Sequence, residues 1–184
     1  MARTKQLSDD ALLEAIMPVI FGKGPRAFTL GEAGRAAGLS AGTLLQRFGS
    51  KQGLVIAALE LANRRNFAAL DRLPEAIGAE AIIRIFVDRT PGPEHEHLLG
   101  DQLLWLRESM ADAAVNAVSR DYFVQFRKAL ADRMPPLAIP AEQAVLLVEA
   151  LWHGSMIQWG IGRDGHLRPY VERHLRAWFA LSAA

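Results

Sequence analysis

The sequence predicts an all-α protein, with a three-helix helix-turn-helix domain at its N-terminus and a larger helical domain after it. Three observations lead there. Apolar residues recur three and four apart in almost every segment. Capping residues open those segments, and glycine or proline closes them. Nowhere do apolar and polar residues alternate over the length of a strand, and no internal repeat is present.

Composition bounds the rest. The 184 residues are 51% hydrophobic and 22% charged, which suits one or two globular domains. With no cysteine, disulfides, thiolate zinc sites and cysteine nucleophiles are excluded, and a cytoplasmic setting is expected. The N-terminal charges precede no apolar run, so no signal peptide is read there. The longest uncharged stretch, 150–162, is too short and too polar to span a bilayer. The net charge of +1 hides an asymmetry. Residues 1–65 hold nine Lys/Arg against five Asp/Glu, and the remainder holds twelve against fifteen. A basic head on a slightly acidic body fits nucleic-acid binding by the head.

Residues 1–7 read either as a loose basic arm, with Arg3 and Lys5 reaching phosphates or a minor groove, or as a plain frayed terminus. Ser8 caps the first helix, and Asp9 and Asp10 suit its first turn. Leu12, Leu13, Ile16, Val19 and Ile20 form its apolar face, and Pro18 is expected to kink or shorten it. Thr29 and Glu32 make a capping box for a short helix over 30–37, which Gly38 ends. Ser40 caps the next helix, over 41–48, whose inner stripe is Leu44 and Phe48. Its outer arc carries Gly42, Thr43, Gln46 and Arg47, with Leu45 at the edge. Small and polar residues plus a cation suit a surface that approaches another molecule closely, as a recognition helix does in a major groove. Gly49 breaks this helix and Ser50 caps the next. That cap puts Lys51 in the first turn, where a cation opposes the dipole unless a phosphate is shared there.

This stretch resembles the DNA-binding segment of the tetracycline-repressor (TetR) family of bacterial regulators. Gly38-Leu39-Ser40, Gly42-Thr43-Leu44 and Phe48-x-Ser50-Lys51-x-x-Leu54 fall at family spacing. The resemblance covers about the first third of the chain. It implies a DNA-binding domain over 1–54 and an effector-binding and dimerisation domain over 55–184. The chain also departs from the pattern. Leu45 stands where the family has a DNA-contacting tyrosine, Ala33 where a larger aliphatic is usual, and Gly31 where a basic residue is common. Leu45 donates no hydrogen bond but retains contact with a thymine methyl. The candidates for base edges are Gly42, Thr43, Leu45 and Gln46, and those for phosphates are Thr29, Ser40, Arg47 and Lys51.

Beyond residue 50 a long helix carries Leu54, Val55, Ala58, Leu61 and Ala62. Helices follow over 75–89, 98–110 (Leu99, Leu103, Leu106 and Met110 on one side) and 113–134. Pro135-Pro136 is a firm stop. The helix over 141–160 is apolar nearly all round, so a second subunit is its natural cover on one side. With the last helix, over 168–181, it would form a four-helix interface across a two-fold axis. A dimer of this kind reads the two halves of a palindromic operator. The resemblance further implies a pocket for a small apolar or aromatic effector, with Phe86, Trp105, Tyr122, Phe126, Trp152, Met156 and Trp159 as candidates and His153 or Gln158 as polar groups. The same residues also read as plain core.

Glu94-His95-Glu96-His97 reads as a solvated loop rather than a metal site, and no cofactor is expected. Phosphate-binding loops, dinucleotide glycine patterns and nucleophile elbows are missing, so the chain is not read as an enzyme. Two other classes stay open. One is an all-α small-molecule-binding or catalytic protein with a vestigial head, favoured by Leu45, Ala33 and Gly31. The other is a helical protein that uses its head on a protein partner.

Overall fold

The computed structural model describes residues 7–73 and 75–182, all helix, turn or coil. Arg3 and Lys5 lie outside them. The chain divides into two compact units. The first runs through Phe67 and also takes in Asp101–Asp121, and so reaches past residue 54. The second comprises Ala68–Gly100 and the chain from Tyr122 onward.

In the first unit, α1 (Asp9–Lys23) is capped by Ser8, whose hydroxyl accepts from the Ala11 N–H at 3.3 Å. Contrary to expectation, Pro18 does not shorten it. Pro18 and Glu14 are both exposed, so the carbonyl deprived of its donor faces water, which satisfies it. α2 (Leu30–Ala37) and α3 (Ala41–Phe48) have the expected bounds. α4 (Lys51–Leu70) follows, with Ser50 accepting from Gly53 N–H at 2.9 Å. One core joins these helices, built from Leu12, Ile16, Ile20, Phe28, Ala33, Leu44, Leu54 and Ala58.

α6 (Leu99–Ala111) departs from its expected face. Leu103 and Leu106 are exposed and Met110 is 67% exposed. Trp105 and Ser109 turn inward instead, and Trp105 meets Phe21 edge-on at 4.8 Å. A tryptophan offers more area to bury than a leucine, which favours this rotation.

The second unit holds α5 (Ala79–Arg89), the C-terminal half of α7 (Ala113–Ala131), α8 (Ala141–Gly162) and α9 (Leu167–Ser182). α5 starts four residues later than expected. Gly78 sits at φ 124°, outside helical space, and its N–H donates to the Arg133 carbonyl at 3.0 Å. The loop expected at Glu94–His97 is a 3-10 turn, Pro93–Leu98. Its Glu96 accepts from the Leu167 N–H at 2.8 Å and so caps α9 from 71 residues away in the chain. No described helix is long and apolar enough to cross a membrane.

Candidate nucleic-acid interface

Each end of α2 and α3 is closed by a local device. Thr29 and Glu32 exchange both hydrogen bonds of a capping box. The carboxyl of Glu32 is pushed down to about 2, first by the ammonium of Lys23 at 2.5 Å and then by the backbone N–H and hydroxyl of Thr29. Gly38 leaves α2 in the left-handed region at φ 67°. The turn is tight: Leu39 N–H donates to the Gly34 carbonyl at 2.8 Å. A Cβ on Gly34 would stand 2.5 Å from the Leu39 carbonyl oxygen, so only glycine fits this close approach. Ser40 then caps α3 through Thr43 N–H at 3.0 Å, and its hydroxyl meets that of Thr43 at 2.8 Å.

These stops orient α3 unambiguously. Leu44 is fully buried, while Gly42, Leu45 and Gln46 are exposed and Leu45 keeps 40% of its surface. Nothing crowds Gly42; a Cβ there would meet Ser40 at an ordinary 3.7 Å. Three of the four base-edge candidates thus share one open face, with Thr43 half-buried beside them, and Thr29 and Ser40 are exposed at the two helix starts.

The cations are tied differently from one another. Arg47 turns toward α1, where its Nη2 donates to the Leu7 carbonyl at 3.1 Å and pairs with Asp9 at 2.6 Å. Lys51 donates to the Arg26 carbonyl at 2.7 Å and lies 4.6 Å over the ring of Phe28. It borders a cleft of about 380 Å³ lined also by Pro25, Arg26, Gln52, Val55, Asp112 and Val115, so the ammonium is reachable from solvent. Arg64 and Arg65 pair with Asp10 and Glu14. Arg35, which the motif did not single out, is exposed on α2.

Of the effector-pocket candidates, four are brought together in the second unit. Phe86 meets Phe126 at 5.9 Å and Trp152 at 5.3 Å, and Tyr122 stacks on Phe126 at 5.8 Å. Trp152 donates to the Thr90 hydroxyl at 2.9 Å, and Arg89 stands 4.5 Å over Phe126. Met156 and Trp159 are buried, with Trp159 donating to the Gly165 carbonyl at 3.0 Å. Trp105 is not part of this group; it belongs to the first unit. Of the two polar groups, Gln158 is exposed. His153 is half-buried, and the desolvation lowers its pKa against the opposing pull of Glu149. Glu149 itself was missed. It is only 4% exposed and pairs with Arg127 at 2.6 Å. An acid in the middle of a helix that is apolar nearly all round was the available signal.

Two short helices joined by a glycine turn, seated on α1 and followed by a long helix, define a helix-turn-helix protein. The model of the bacterial regulatory proteins of the tetR family matches residues 12–58. No curated protein matches the sequence. Among solved structures, the chain is similar to a transcriptional regulator from Rhodococcus sp. Rha1, with 17% identity, 96% of each chain covered and a TM-score of 0.77. A TetR-family transcriptional regulator from Agrobacterium tumefaciens gives 16% identity, 94% and 96% coverage and a TM-score of 0.71. The transcriptional regulator FadR from Bacillus subtilis, solved in complex with stearoyl-CoA, gives 13% identity, 92% and 96% coverage and a TM-score of 0.65. The helix-turn-helix segment is thus similar to that of the tetR family, and the chain shares the all-α fold of these solved regulators.

Proposed function

We propose that this protein is a sequence-specific DNA-binding transcriptional repressor, acting in the cytoplasm as a homodimer and released by a small-molecule effector. The observation that carries the reading is the open outer face of α3. It is held by caps at both ends and exposes Gly42, Leu45 and Gln46 toward base edges, with Thr43 half-buried beside them. Gln46 supplies the donor–acceptor pair that adenine presents a match for, and Leu45 an apolar contact for thymine. Thr29, Ser40 and Lys51 are assigned to phosphates. Lys51 spends one of its three N–H donors on Arg26 and keeps two.

Dimerisation is supported by α8. Leu146, Ala150, Gly154, Ile157 and Ile161 form a stripe along it, and Ile161 is 83% exposed. The spacing of four, four, three and four is that of a helix–helix seam. Leu181 at the end of α9 is exposed as well. The effector is assigned to the ring cluster of Phe86, Tyr122, Phe126 and Trp152, and the stearoyl-CoA bound by the Bacillus subtilis relative supports an apolar ligand. Such a ligand shifts the separation of the two heads only by its differential affinity for the two states.

The test is a pair of variants on a DNA duplex selected by the protein. Gln46→Ala relaxes discrimination at one base position by about 1–3 kcal/mol. Lys51→Gln keeps a donor for the Arg26 carbonyl and lowers the salt slope by about one per head without changing preference. Unchanged preference in the first and unchanged slope in the second would remove α3 from the groove.

A further inference from the structure

Four arginines of the head, Arg35, Arg47, Arg64 and Arg65, fall into two groups, and the division shows which of the four is available to a polyanion. Arg47, Arg64 and Arg65 all point at the acidic side of α1, onto Asp9, Asp10 and Glu14. Arg47 is the most constrained of the three. It satisfies a carboxylate and a main-chain carbonyl at once, and its side chain is only 24% exposed. A guanidinium so placed ties the C-terminal end of α3 to the start of α1.

Arg35 is the contrast. No carboxylate among the described residues pairs with it, and it is exposed. Its side chain runs back along α2. Nη1 lies 3.8 Å from where a Cβ on Gly31 would be, and the Thr29 hydroxyl lies 3.9 Å from the same point. The guanidinium thus lies over the first turn of α2, in ordinary contact distance of Gly31 and beside the exposed cap. In a helix-turn-helix the first helix crosses the DNA backbone while the second enters the groove. An uncompensated guanidinium on that first helix has the fork geometry that phosphate oxygens accept.

We infer that Arg35 is the arginine of the helix-turn-helix that contacts a DNA phosphate, and that Arg47 is a positioning residue which locks α3 to α1. This rests on the DNA-binding reading above and reassigns one of its expected phosphate contacts.

The experiment uses the full-length dimer, a duplex recovered by selection and a mixed-sequence duplex, titrated over a range of salt concentrations. Arg35→Gln lowers the slope of log affinity against log salt by about 0.9 per head on both duplexes, with the melting temperature unchanged. Arg47→Gln leaves the slope unchanged, lowers the melting temperature and weakens binding. Asp9→Asn does the same, and the double variant is no worse than either single one, because the two residues act as one contact. Three results would overturn the inference: an unchanged slope in Arg35→Gln, a slope lowered by Arg47→Gln, or tighter binding in Asp9→Asn through release of Arg47 to DNA. Wild-type protein that binds neither duplex at low salt would instead defeat the DNA-binding reading, and the inference with it.

Discussion

Replacing Gly34 with alanine tests the turn that sets the recognition helix. The added methyl would stand 2.5 Å from the Leu39 carbonyl oxygen and 3.4 Å from the Leu39 and Ser40 carbonyl carbons. All three are backbone atoms inside the turn, so no side chain can swing aside. Overpacking of this kind costs about 1–3 kcal/mol. Displacing Leu39 also strains its 2.8 Å bond to the Gly34 carbonyl, a bond worth about 1 kcal/mol. Against this, alanine gains about 1 kcal/mol over glycine in helix propensity. The strain wins, leaving a net loss of about 1–3 kcal/mol. Gly42→Ala is the control, since its methyl meets only Ser40 at 3.7 Å. Denaturant unfolding followed by far-UV circular dichroism reads both variants. Gly34→Ala should lower the midpoint and DNA affinity together, whereas Gly42→Ala leaves the midpoint unchanged or raised. A Gly34→Ala protein as stable as wild type would refute the close-approach reasoning.

Two further predictions concern charge and assembly. Glu32 is depressed from 4.5 to about 2, so its contribution to stability is complete above pH 4.5 and is lost as pH falls from there toward 2. The stability gap between wild type and Glu32→Gln should therefore close over that window, and a gap that widened on acidification would reverse the assigned sign. On α8, Ile157→Glu places a carboxylate on each side of the proposed seam. Losing two buried apolar side chains at about 1.5 kcal/mol each weakens dimerisation by at least about a hundredfold. Sedimentation at micromolar concentration should then find a folded monomer, and an undisturbed dimer would place the interface elsewhere.

The head was legible because its signals are local. Thr29 with Glu32, Gly38, Ser40 and Gly49 each act within four residues, so the bounds of α2 and α3 followed directly. What was not legible depends on distant partners. Arg47 looked like an outward cation on its helix, yet Asp9 and Leu7 turn it toward α1. Leu103, Leu106 and Met110 share a helical face, but Trp105 on another face took the burial. Pro18 is expected to kink or shorten α1, and the helix runs through it to Lys23. Glu96 looked like part of a charged loop and instead caps α9. Periodicity locates a helix; it does not say which of two apolar faces packs better, nor which carboxylate a guanidinium will find.

The most direct test of the central claim is binding of the purified full-length protein to a randomised duplex pool at two salt concentrations, with the retained sequences read out. The account predicts a palindromic motif and a steep fall in binding at the higher salt, because phosphate contacts release counterions. Recovery of no motif, with no binding even at the lower salt, would contradict it and mark the helix-turn-helix as a vestige on a ligand-binding body.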